Sequence, residues 1–136
     1  MKNPATIYLA DDDFDDRSML RDALIARIPG VEIVEAFDGQ DLIDKIKPAS
    51  SPLSMIILTD WNMPRLDGLE VAKIMKSDPG FKNIPIVMVS TNKEQKMIQQ
   101  AYAAGISKYI VKPVLWTEFL SVAENIRSGF EKLAGR

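Results

Sequence analysis

The chain has no cysteine and no histidine. The first absence rules out disulfides, a thiol nucleophile and thiolate metal ligands. The second removes the commonest general base and the commonest transition-metal ligand. Any metal site must therefore be built from oxygen, which selects Mg²⁺, Ca²⁺ or Mn²⁺. Long apolar runs are missing too, with neither a signal-peptide core near the N-terminus nor a stretch of membrane-spanning length, so the sequence predicts a cytoplasmic protein without membrane insertion. Neither sign of charge is in large excess. A net charge of −2 implies no basic surface for nucleic acid.

What is present fits one folded unit. A chain of 136 residues, 46% hydrophobic and 26% charged, can bury a core of ordinary composition. No repeat, low-complexity tract or second module interrupts it, and residues 1–136 are expected to form a single domain with no output domain. Short apolar segments at 7–10, 31–35, 55–58, 84–89 and 109–111 read as strands. Between them, apolar residues recur at helical spacing: Met19, Leu20, Ala23, Leu24 and Ile28; then Leu42, Ile43 and Ile46; then Leu69, Val71, Ala72, Ile74 and Met75. Residues 93–104 read as a fourth helix of mixed character, and 48–52 as a polar loop. The last helix carries Phe119, Val122, Ala123, Ile126, Phe130 and Leu133 at steps of three and four, a core-facing stripe. Strand and helix alternating in this way call for a parallel sheet covered on both faces and joined by right-handed crossovers.

In an open parallel sheet, ligands bind beyond the carboxyl ends of the strands, where strand order reverses. Chemistry-bearing residues fall at those ends. Asp11 and Asp12 follow the first strand, Asp60 the third, Ser90 the fourth and Lys112 the fifth. Close carboxylates raise one another's pKa unless positive charge lies between them. A divalent cation with oxygen ligands, together with Lys112, would supply that charge, and such a site suits a phosphoryl dianion. Asp60 could then act as a nucleophile and form an aspartyl-phosphate, with the Ser90 hydroxyl donating to a phosphoryl oxygen. Each residue also has a plain structural reading. Asp15 and Asp16 are explained by the dipole of the helix they begin, and Ser90 alone could be a helix cap. A lone Asp60 would be a turn residue, and a lone Lys112 a solvated surface lysine.

Taken in order, Leu9-Ala10-Asp11-Asp12, Asp60-Trp61-Asn62-Met63-Pro64 with Asp67-Gly68, Val89-Ser90-Thr91 and Tyr109-Ile110-Val111-Lys112-Pro113 make a specific set. On these motifs, over roughly residues 5–130, the chain resembles the receiver domain of two-component response regulators, most of all the stand-alone chemotaxis-type or phytochrome-associated members. The resemblance implies a flavodoxin-like, doubly wound α/β fold, a five-stranded parallel sheet in the order 2-1-3-4-5 with five helices. It implies that Asp60 accepts a phosphoryl group from a histidine kinase or histidine phosphotransfer protein. Mg²⁺, with Mn²⁺ as the alternative, would be held by Asp12, Asp60 and the backbone carbonyl of Asn62, with Asp11 acting through water. Lys112 would contact the phosphoryl group, Ser90 would move to bond it, and Tyr109 would turn inward as an aromatic switch. The Lys112–Pro113 bond is expected to be cis. Asp11 stands where many members have Glu, Ser90 where many have Thr, and Thr91 where a smaller residue is common.

The function so implied is a signalling module and not an enzyme. The face made by the fourth helix, fifth strand and fifth helix would respond to phosphorylation and signal, or relay phosphate, to a downstream protein. The expected state is a monomer or weak homodimer. Two other readings compete. A phosphatase acting on an external substrate would need a second acid near the nucleophile, where this chain has Asn62. A scaffold that merely binds partners would not require the full set of acids, hydroxyl and lysine.

Overall fold

The computed structural model describes residues 5–46 and 55–134, with side chains to 130. Five strands and five helices alternate: β1 (Thr6–Ala10), α1 (Phe14–Arg27), β2 (Glu32–Ala36), α2 (Gly39–Lys45), β3 (Met55–Thr59), α3 (Gly68–Lys76), β4 (Ile86–Ser90), α4 (Gln95–Ala103), β5 (Lys108–Val111) and α5 (Trp116–Ala134). All strand pairs are parallel, and the sheet order is β2-β1-β3-β4-β5. This is the flavodoxin-like arrangement expected from the motifs. The chain starts at β1, adds β2 on one side, then crosses to β3 on the other. Strand order therefore reverses between β1 and β3, and a crevice opens beyond their carboxyl ends.

Side-chain alternation along the strands builds two cores. Ile7 and Leu9 of β1, Ile56 and Leu58 of β3 and Val87 and Val89 of β4 face one side, against Leu20 and Leu24 of α1 and Phe119 and Ile126 of α5. Tyr8, Ile57, Ile86 and Met88 face the other, against Leu42 of α2, Val71 and Met75 of α3 and Ala101 of α4. Every residue of β3 and β4 is buried, as central strands covered on both faces must be. The stripe of α5 is buried as its spacing predicts from Phe119 to Phe130. The side chain of Leu133 and the 48–52 loop lie outside the described residues. Ile74, expected on the core face of α3, is 40% exposed and lies off that helix's buried face.

Local chemistry fixes where the helices start. Asp13, Asp38 and Asp67 each cap a helix by accepting a backbone N–H three residues on, which relieves the unpaired donors of the first turn. Asp67 and Glu70 bond reciprocally as a capping box. Helix α4 begins at Gln95, not Lys93; the Asn92 side chain accepts the Glu94 N–H and holds 92–94 in a turn. Two glycines bring loops close to the site. A Cβ on Gly68 would stand 2.4 Å from the Asp60 carbonyl oxygen, and one on Gly39 would stand 2.1 Å from the Leu66 carbonyl oxygen. Neither approach is open to a larger residue.

Candidate functional site

The β1 and β3 ladder continues one residue past each strand. The Asp60 N–H donates to the Ala10 carbonyl at 2.9 Å, and the Asp11 N–H to the Ala36 carbonyl at 3.2 Å. Both aspartates are thereby set at the reversal in strand order. Asp11, Asp12 and Asp60 can each direct one carboxylate oxygen to a common point, with those atoms within 4.8 Å of one another. Asp11 and Asp60 are buried, while Asp12 is exposed. Lys112, reaching in from the end of β5, contacts Asp11 at 3.0 Å, Asp60 at 3.3 Å and Asp16 at 2.9 Å. The sequence-derived acids and lysine thus converge from three strand ends.

The electrostatics follow from burial and proximity. Burial, and next the charge of Asp11, pushes the Asp60 carboxyl up to about 6. Asp11 is also raised, chiefly by burial, although the Asp13 N–H and Lys112 oppose the shift. Burial of Lys112 favours its neutral form, but its bonds to Asp16 and Asp11 and the charge of Asp60 outweigh that, and its pKa is raised. An ammonium ion is therefore fixed beside carboxylates that resist full ionisation. This site fits a hard divalent cation: its donors are all oxygen, and its negative charge exceeds what Lys112 balances. Asn62 is exposed, and no described donor reaches its backbone carbonyl, which remains available as a further oxygen ligand.

The other predicted residues lie around this centre. Ser90 is fully buried at the end of β4; its hydroxyl accepts the Asn92 N–H at 3.2 Å and makes no hydrogen bond to Asp60. It does not cap α4, whose N-cap position is Glu94. The Tyr109 hydroxyl donates to the Asn92 carbonyl at 2.7 Å, and its ring meets Trp61 edge-on at 6.4 Å. The Trp61 N–H in turn donates to Asp60 Oδ1 at 2.7 Å. A continuous path of contacts thus joins Asp60, Trp61, Tyr109, Asn92 and Ser90. The Lys112–Pro113 bond is trans, as is every described peptide bond, which corrects the cis expectation. The two isomers of a proline bond differ by only about 1 kcal/mol, so the dipeptide alone does not select one.

Three contributors escaped the sequence reading. Asp16, assigned there to the helix dipole, is an ion-pair partner of Lys112. Arg17 is buried; it donates to the Asp11 carbonyl at 2.7 Å and to Glu35 at 3.0 Å, and lies over the Phe37 ring at 4.8 Å. Its signal was its place on the buried stripe with Leu20 and Leu24. Asp16 shares a helix face with Leu20 and Ala23 in the same way. Arg65 has φ of 68° and forks onto Asp38, holding the β3–α3 loop to the start of α2. Nothing local to Arg65 announces this, since the partner is 27 residues away.

Comparison with known proteins agrees with this geometry. The family model of the response regulator receiver domain matches residues 7–124. The chemotaxis protein CheY1 of Helicobacter pylori is 33% identical over 107 residues, covering 79% of this chain and 84% of that protein. The receiver domain of a response regulator from Rhodospirillum rubrum superposes with a TM-score of 0.81 at 25% identity, covering 94% of each chain. The phosphorylated cyanobacterial phytochrome response regulator RcpA does so with a TM-score of 0.79 at 26% identity, also covering 94% of each.

Proposed function

Because this chain belongs to the response regulator receiver family, a family of signalling modules, we propose that it takes a phosphoryl group on Asp60 and reports that event through its surface. The observation that carries the proposal is the convergence of Asp11, Asp12 and Asp60 with Lys112 at the reversal in strand order. In the reaction, an oxygen of the Asp60 carboxylate attacks phosphorus. The bond from phosphorus to the donor nitrogen breaks, and the imidazole of a histidine kinase or histidine phosphotransfer protein leaves with the electron pair. Hydrolysis later breaks the new P–O bond and returns Asp60 and inorganic phosphate.

Asp12, Asp60 and the Asn62 carbonyl would hold Mg²⁺, or Mn²⁺, with Asp11 assisting. When bound, the cation neutralises charge on the carboxylates and the phosphoryl oxygens. Lys112 supplies an ammonium at the site for a phosphoryl oxygen, drawn from the carboxylates that hold it in the unphosphorylated protein. Ser90 donates its hydroxyl once it turns from the Asn92 N–H.

That turn gives the switch its physical content. Ser90 and Tyr109 both bond residue 92, so a change at one disturbs the other. A population shift requires such differential contacts in the two states. The Tyr109 N–H also donates to the Tyr102 hydroxyl of α4 at 2.9 Å, extending the link to the outer face. That face exposes Tyr102, Val111 and Trp116, apolar area that suits a downstream protein. Among the described residues, no helix is long and apolar enough to cross a membrane.

With phosphoramidate and Mg²⁺, ³¹P NMR should show one acyl-phosphate resonance per chain, and amide shifts should move at Tyr109 and along α4. Sustained release of phosphate from a phosphate ester would replace this reading with that of a hydrolase. An acyl phosphate without shifts at Tyr109 or α4 would remove the proposed switch.

A further inference from the structure

The Lys112 ammonium is surrounded by three carboxylates, in ion pairs with Asp16 at 2.9 Å and Asp11 at 3.0 Å and in a hydrogen bond to Asp60 at 3.3 Å. A phosphoryl oxygen must therefore compete with these carboxylates for Lys112. Asp11 is poorly placed to give it up: its side chain is 2% exposed, and its other oxygen accepts the Asp13 N–H. Asp60 is the residue that would carry the phosphoryl group. Asp16 differs from both. It stands outside the metal-compatible trio, its side chain is 35% exposed, and it lines a cavity of about 310 Å³ between the start of α1 and the segment after β5. The cavity gives the Asp16 carboxylate room to swing into water. A phosphoryl group at Asp60 would also bring up to about two negative charges to a point one ammonium away from Asp16.

We propose that Asp16 is a positioning residue that competes with the phosphoryl group for Lys112, holding the lysine in the unphosphorylated protein and lowering the affinity of the site for a phosphoryl group. The inference rests on the phosphoacceptor reading of Asp60 and deepens it. Both effects of Asp16, competition for the ammonium and like-charge repulsion, act in one direction. Its removal should strengthen phosphoryl binding and should not weaken it.

The test uses beryllofluoride as the phosphoryl mimic with Mg²⁺, titrated by ¹⁹F NMR against wild type, D16N, D16E and D15N. Asp15 lies in the same turn and lines the same cavity but makes no ion pair among the described residues, so D15N measures the general effect of removing one charge. D16N should bind about tenfold more tightly than wild type, the size of one charge-assisted bond partly recovered. D15N should change little, and D16E, which keeps the carboxylate, should stay close to wild type. In the metal-free protein, the Lys112 ammonium protons should exchange with water faster in D16N, a readout that needs no loaded site. Equal or weaker binding in D16N, or an equal gain in D15N, overturns the inference while Asp60 keeps its role. Wild type that takes up no beryllofluoride overturns the phosphoacceptor reading and this inference together.

Discussion

Replacing Asp60 with Asn should make the metal-free protein more stable, by an amount that depends on pH. Asp60 is 8% exposed, shares its site with Asp11 and Asp12, and has its carboxyl pushed up to about 6 from an ordinary 3.8 by burial and the charge of Asp11. The folded state therefore binds this proton more tightly than the unfolded chain does. The stabilisation from that proton is fully present below about pH 4 and is lost as pH rises through about 6. At about 1.4 kcal/mol per pKa unit, the ionised side chain costs the fold about 3 kcal/mol at neutral pH, or about 2 kcal/mol after allowance for solvent screening. Asn keeps an oxygen to accept the Trp61 N–H while removing the charge. Urea unfolding, followed by circular dichroism from pH 4 to pH 8 in chelator, should show the two proteins alike at pH 4 and D60N ahead by about 2 kcal/mol at pH 7. Saturating Mg²⁺ should narrow the gap by stabilising wild type through binding. Equal stability at pH 7, or a less stable D60N, would show that these carboxylates are not in conflict and would refute the electrostatic reading of the site.

Other outcomes follow from the same structure. Asp12→Asn removes an exposed member of the oxygen trio and should weaken Mg²⁺ binding by at least about tenfold by calorimetry, with no loss of fold. Gly39→Ala places a Cβ 2.1 Å from the Leu66 carbonyl oxygen; it should destabilise the domain by about 3 kcal/mol in urea and loosen the loop that carries Asn62. Leu58→Ala empties a fully buried position of β3 and should cost about 3 kcal/mol, leaving the Mg²⁺ affinity of the surviving folded protein unchanged.

The sheet was legible because the central strands β3 and β4 are apolar up to their last residues, Thr59 and Ser90. β3 and β4 are buried on both faces and show no competing pattern. The convergence of Asp11, Asp12, Asp60 and Lys112 was legible for a related reason: in a parallel sheet, every strand ends on the same side, so position after a strand becomes position in space. What was lost depends on side-chain reach or on small energy differences. Asp16 looked like a helix-dipole acid because sequence shows its neighbours in α1, not a lysine at the end of β5. Arg17 is a long side chain whose charge lies among Glu35, Phe37 and the Asp11 carbonyl, a pocket formed only when β2 pairs with β1. The start of α4 shifted because a turn held by the Asn92 side chain precedes the helix.

Phosphorylation of Asp60 is tested most directly by intact mass after incubation with a small phosphodonor, with and without Mg²⁺, for wild type and Asp60→Ala. Wild type should gain one phosphoryl group with Mg²⁺ and little without the metal, and Asp60→Ala should gain none. A phosphoryl adduct that persists in Asp60→Ala, or that forms equally well in chelator, would contradict this reading of the site.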